Sequence, residues 1–178
     1  ETVIRHARMP IRAAQSSPAG IKVFTQSLDH QAVARVTLER EMRVALERNE
    51  FRAFFQPKIN VATGRVEGCE ALARWIRPDR TIVSPGRFIP VAEESGLIGA
   101  LSDAIMREAC WKAASWARSG FPAKVAVNVS ALQFRSDRFA DQVLRVVQHA
   151  GLAPSQLELE ITESVVMQDL DRALRVIN

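Results

Sequence analysis

Lys124-Val125-Ala126-Val127-Asn128-Val129-Ser130 is the stretch on which the fold turns. It is short, apolar and β-branched, as expected of a fully buried strand in a parallel sheet. Upstream of it a helical pattern covers about 97–119. There Ile98, Leu101, Ile105, Ala109, Ala113 and Trp116 recur at steps of three and four, and Gly120 marks the end. Downstream, Ser136-Asp137 caps a second predicted helix with Phe139, Val143, Val146, Val147 and Ala150 on its inner face, before Gly151 and Pro154. Leu157-Glu158-Leu159-Glu160-Ile161-Thr162 is the next core strand, and a third helix starts near Asp169 with Leu170, Leu174 and Ile177. Strand, helix, strand, helix with such short connections means parallel α/β units. No Gly-rich phosphate loop follows any strand, so a barrel is favoured over an open nucleotide-binding sheet.

Earlier in the chain, Phe51-Arg52-Ala53-Phe54-Phe55-Gln56-Pro57-Lys58-Ile59 reads as a strand ended by Pro57, and Asn60 to Gly64 as a turn. The turn leads into Val66-Glu67-Gly68-Cys69-Glu70-Ala71-Leu72-Ala73-Arg74-Trp75. Two strands joined this tightly form an antiparallel pair. An amphipathic helix is predicted over about 35–49, ending at Asn49-Glu50, and a short one over 88–94. Residues 1–30 carry weak periodicity, a break at Ser16-Ser17-Pro18-Ala19-Gly20 and one short strand-like run, Ile21 to Phe24.

Composition narrows the function classes. With 47% hydrophobic and 25% charged residues in 178, the chain is ordinary for a globular protein. It has no apolar run of membrane-spanning length and no signal peptide, so a cytoplasmic protein is the expectation. Cys69 and Cys110 stand far apart without a CxxC pairing, which argues against zinc ribbons, disulfide scaffolds and dithiol chemistry; both read as buried small apolar residues. The net charge is +4, but the arginines are interspersed with acids and Tyr is absent, which weighs against a nucleic-acid polymer as partner.

The chemistry-bearing residues follow from a period of two. Glu70 shares a strand face with Val66, Gly68, Leu72 and Arg74, inside an otherwise apolar run. A carboxylate buried there requires a cationic partner, either Arg74 two residues on or a metal. Asn128 lies opposite Val125, Val127 and Val129, and Glu160 opposite Leu157, Leu159 and Ile161. Each strand thus offers one apolar face to the helices and one small or polar face to a barrel interior. Glu70, Asn128 and Glu160 all fall toward the carboxyl ends of their strands, where α/β barrels carry their active sites. Two carboxylates and an amide form an oxygen-only set suited to Mg²⁺ or Mn²⁺ and not to zinc. Asn128 alone reads equally well as a turn cap. Glu163 either anchors the adjacent loop or caps a helix.

These motifs strongly resemble the EAL domain family of cyclic di-GMP phosphodiesterases. The markers are Gln56-Pro57, Glu70-Ala71-Leu72 with Arg74-Trp75, Phe88-Ile89-Pro90 followed by Ala92-Glu93, Asn128-Val129-Ser130, and Glu160-Ile161-Thr162-Glu163. The resemblance implies a TIM-like (β/α) barrel with an antiparallel first strand, over residues 35–178. It implies Glu70, Asn128 and Glu160 as metal ligands, with Glu70 catalytic. Gln56, Leu72 and Arg74 would contact cyclic di-GMP, and Glu163 would hold a loop beside the site. Residues 1–34 resemble a linker or the tail of a preceding GGDEF domain. The family's Asp-Asp-Phe-Gly segment and its later Lys, Glu and Gln would fall beyond Asn178, so the chain holds the N-terminal two-thirds of the domain and is expected to be inactive by itself. The implied activity is metal-dependent hydrolysis of cyclic di-GMP to linear pGpG. The alternative is a non-catalytic cyclic di-GMP receptor or interaction module. A homodimer and an upstream GGDEF or sensor region are the expected partners.

Overall fold

The computed structural model describes residues 26–161, with side chains from residue 32. The chain divides into two compact units, Glu1–Met42 and Arg43–Asn178. Helix α1 (Gln26–Glu47) begins well before the predicted start at 35. It stops before Asn49, whose φ of 55° lies in the left-handed region that Asn tolerates.

The second unit is built on a curved sheet whose strands follow the order β1 (Phe51–Ile59), β2 (Val66–Ile76), β4 (Lys124–Asn128), β5 (Leu157–Glu160). The two-residue strand β3 (Ile82–Val83) pairs with the end of β2. β1 is antiparallel to β2, while β2, β4 and β5 are parallel, as the sequence predicts. Two helices, α2 (Pro85–Ser95) and α3 (Ile98–Arg118), separate β3 from β4. The short α4 (Ala131–Phe134) and α5 (Phe139–Ala150) separate β4 from β5. The mixed α/β architecture, with helices following parallel strands, is that of a TIM-barrel-like fold.

Local chemistry accounts for the element ends. The β1–β2 turn is held by Asn60, whose Oδ1 accepts from the N–H groups of Ala62 and Thr63 at 2.9 and 3.0 Å. Gly64 closes it with φ 68°. Pro57 does not end β1: it pairs with Cys69 within the ladder, and β1 runs on to Ile59 past an irregularity after Lys58. A proline is tolerated there because β1 is an edge strand among the described residues, so its missing N–H breaks no second ladder. α4 was not anticipated, although Ser130 and Gln133 form a reciprocal capping box around its start. The N-cap residue of α5 is Arg138, one position beyond the expected Ser136-Asp137, and its side chain makes no cap hydrogen bond, while Ser136 Oγ accepts from the Arg138 N–H at 3.4 Å.

The core lies between the apolar sheet face and the helices. Val125 and Val127 of β4 are 0% and 1% exposed, against buried Leu101, Ile105 and Ala109 of α3. Trp75 is buried and packs against Phe51, tilted, and Phe88, edge-to-face, at centroid distances of 5.3 and 6.2 Å, while its indole N–H donates to Glu50 Oε2 at 3.0 Å. Both cysteines are free and buried, and burial pushes the Cys110 thiol up to about 11. No described helix is long and apolar enough to cross a membrane.

At Gly68 the backbone of β4 leaves no space for a side chain on β2. A Cβ there would stand 2.8 Å from the backbone carbonyl oxygen of Lys124, an atom that cannot move without shifting β4. Gly68→Ala is therefore expected to destabilise the fold by about 1–3 kcal/mol through overpacking. Denaturant unfolding measures it, and a wild-type midpoint would show that the two strands separate without cost.

Candidate active site

The polar face of the sheet brings together residues that lie up to 104 positions apart, from Gln56 to Glu160. In the ladder Gln56 is opposite Glu70, Glu70 opposite Ala126, and Ala126 opposite Glu158; two residues further along β4, Asn128 is opposite Glu160. Because the side-chain period is two, Gln56, Glu70, Asn128, Glu158 and Glu160 all stand on the same face. Leu72 and Arg74 continue that face along β2, and Phe54 and Lys58 continue it along β1. The intervening Cys69, Ala71, Val127 and Val129 are buried on the other side.

Asn128 Nδ2 donates to Glu70 Oε1 at 2.7 Å. Of the two cationic partners expected for Glu70, this contact and the position of Arg74 remove the Arg74 pair. The carboxylate is half-buried rather than enclosed, and an amide N–H suffices to hold it. Among the described residues no ion pair joins Glu70 to Arg74. Instead Arg74 Nη1 donates to the Ala73 carbonyl at 2.9 Å, and its guanidinium lies over the Phe54 ring, 5.9 Å from the centroid. Asn128 is not the turn cap either, since Ser130 takes that role.

Sequence reasoning missed one cation of this face, Lys58. Its Nζ lies 2.6 Å from Glu160 Oε1 and 3.6 Å from Glu158 Oε2, and Lys124 Nζ lies 3.2 Å from Glu158 Oε1. The hydrogen bond to Glu160 raises the Lys58 pKa above the usual lysine value, and Lys124 lowers that of Glu158. The signal was present in the strand period, which sets Lys58 on the face of Gln56.

The donor set fits a hard divalent cation in kind. Glu70, Asn128 and Glu160 present only oxygens besides the Asn amide nitrogen, and no imidazole or thiolate stands with them. It is sparse in number: among the described residues no three His, Cys, Asp or Glu side chains converge into a metal cage. Glu163 lies outside the described residues. A groove of about 880 Å³, lined among others by Arg52, Asp103, Arg107, Trp111, Arg145 and His149, involves the start of β1 and the helices α3 and α5, and its lining contains none of Gln56, Lys58, Glu70, Asn128 and Glu160.

The model of the EAL domain matches residues 39–178. An uncharacterized signaling protein of Caulobacter vibrioides is 41% identical over 175 residues, covering 98% of this chain and 21% of that protein. The bifunctional diguanylate cyclase/cyclic di-GMP phosphodiesterase MucR of Pseudomonas aeruginosa is 36% identical over 159 residues, covering 89% of this chain and 23% of its own length. The chain thus spans about a fifth of the curated relatives it matches. Among solved structures, the MucR phosphodiesterase in complex with c-di-GMP superposes with a TM-score of 0.75 at 38% identity, over 79% of this chain and 57% of that one. The FimX EAL domain of Xanthomonas citri with c-diGMP, 21% identical, shares the fold with a TM-score of 0.74 over 84% of this chain and 58% of its own. A match over 140 of 178 residues, carried by the same strands that assemble the polar face, places this chain in the EAL domain family.

Proposed function

We propose that the intact protein hydrolyses cyclic di-GMP to the linear dinucleotide on this polar face. The observation that carries the reading is that Glu70, Asn128 and Glu160 stand on one face of adjacent parallel strands, Asn128 and Glu160 at the carboxyl ends of β4 and β5 and Glu70 in the middle of β2, beside Gln56, Leu72 and Arg74. Glu70, Asn128 and Glu160 would hold divalent cations, Mg²⁺ or Mn²⁺, which when bound lower the pKa of water and stabilise the departing oxygen. Glu70 would be oriented by the Asn128 amide, as it is here. Arg74 would receive a phosphate: its planar fork donates two parallel hydrogen bonds, and only one of its nitrogens is engaged by Ala73. Leu72 would supply apolar contact and Gln56 an amide to the dinucleotide, and Glu163, outside the described residues, would hold a loop beside the site.

The same reading assigns residues 1–34 to a linker or the tail of a GGDEF-like domain and residues 35–178 to the EAL domain. It takes a homodimer as the assembly and the cytoplasm as the compartment. MucR, which carries both activities in its name, supports a cyclase half upstream.

The test is made on the intact protein with Mn²⁺ or Mg²⁺, following the linear product by chromatography. Absence of product with either ion overturns the reading. Arg74→Ala is expected to weaken cyclic di-GMP binding by about tenfold to a hundredfold, the worth of a charge-assisted contact, with little change in melting temperature. Unchanged affinity by calorimetry would remove Arg74 from the phosphate.

A further inference from the structure

Lys58 and Glu160 meet although β2 and β4 lie between their strands. Adjacent strands are about 4.8 Å apart, so three spacings on a flat sheet would put the two backbones about 14 Å apart. The two also stand four residues apart in register, because Lys58 aligns through Gly68 with Lys124 and Glu160 aligns with Asn128, so a contact of 2.6 Å between the side-chain tips requires the polar face to be concave. It also requires room between them. Gly68, opposite Lys58, and Ala126, opposite Glu158, supply that room on the two middle strands.

From this we propose that Lys58 is a built-in counter-ion that holds Glu160 until a divalent cation displaces it, and that Lys58 thereby sets the affinity of the site for that cation. The inference rests on Glu160 being a metal ligand. An ammonium and a divalent cation cannot share one carboxylate oxygen, because two positive charges at that separation repel strongly in a half-buried setting. Nζ must therefore leave Glu160 Oε1 when the cation arrives. Its next seat is already in place, since Glu158 Oε2 is 3.6 Å away, and Lys124 holds the other oxygen of that carboxylate. The move takes a rotation within one side chain and no change of backbone. Before loading, the same contact keeps Glu160 ordered and aimed inward, and loading must work against the charge-assisted bond it breaks.

The test uses the intact protein and Mn²⁺ alone, titrated by calorimetry into the wild type, Lys58→Met, Lys124→Met and Glu160→Gln. Lys58→Met is expected to bind Mn²⁺ roughly tenfold tighter, the worth of one partly exposed charge-assisted bond. Lys124→Met removes the same charge from Glu158 alone and should stay within about twofold. Glu160→Gln should lose the binding. If Glu160→Gln loses it but Lys58→Met binds no tighter than wild type, the counter-ion proposal fails and the metal reading stands. If Glu160→Gln binds as wild type, Glu160 is no ligand and both fail. A Lys58→Met variant that does not fold leaves a second measurement: the crystal structure of the wild type with Mn²⁺. Nζ beyond hydrogen-bond reach of Glu160 supports displacement, and Nζ still bonded to Glu160 beside the ion overturns it.

Discussion

Glu70→Gln in the intact protein is expected to lower the rate of cyclic di-GMP hydrolysis by several orders of magnitude and to leave the fold unchanged. The two parts of the expectation have separate causes. Gln matches Glu in shape, and its side-chain oxygen can still accept the hydrogen bond that Asn128 Nδ2 gives Glu70 Oε1. Because the side chain is half-buried and not ion-paired among the described residues, removing its charge leaves no buried cation without a partner. The substitution nevertheless takes away one of the two carboxylate charges that the set offers a divalent cation, and the cation would supply the chemistry. Turnover and thermal melting measured on the same preparation separate the two effects. Near-wild-type turnover would take Glu70 out of the metal site; a large loss of melting temperature would show that its role is structural.

Residues 1–178 by themselves are expected to produce no linear dinucleotide under conditions where the intact protein does. Two divalent cations of the Mg²⁺ type want about six oxygens each. Glu70, Asn128 and Glu160 offer two carboxylates and one amide, and Lys58 already engages one of the carboxylates. Water and substrate phosphate can fill some positions, but further carboxylates are needed to hold two cations before substrate arrives. The sheet makes the same point. Among the described residues β1 pairs only with β2 and β5 only with β4, so the sheet has two open edges. One N–H of the β1 edge strand is covered: Ala53 donates to Glu108 Oε2 at 2.8 Å, while Arg52 pairs with Glu108 Oε1. Beyond that bond the described residues add no ladder to the outer sides of β1 and β5, so the isolated piece is expected to aggregate more readily than the intact protein. Parallel assays with Mn²⁺ and Mg²⁺ decide the matter, with light scattering as the control for aggregation. Comparable turnover by the piece would mean that three donors complete the site.

What could be read locally was read from the sequence. The period of two in β4 and β5 separates valines and leucines from Asn128 and Glu160. Hydrophobic steps of three and four place α3 and α5, and the tight Asn60–Gly64 turn makes β1 and β2 antiparallel. Each of these depends on neighbours within a few residues. Pro57 and the start of α5 were misread because their outcome depends on whether a second strand lies alongside and on which residue closes a loop.

The faces of β2 and β4 were determined by the sequence alone, because burying Cys69, Ala71, Val125 and Val127 on one side leaves Glu70 and Asn128 on the other; in β5 the period alone sets the face of Glu160, since Leu159 is exposed among the described residues. The pairings within that face were decided by tertiary structure. Glu70 takes its hydrogen bond from Asn128 and not from Arg74, because the parallel register brings β4 alongside β2 while Arg74 turns to Ala73 and the Phe54 ring. Lys58 reaches Glu160, 102 residues away, because the curvature of a sheet with glycine and alanine on its middle strands brings two distant side chains together. Curvature is a property of all the strands packed against their helices, and no single segment encodes it.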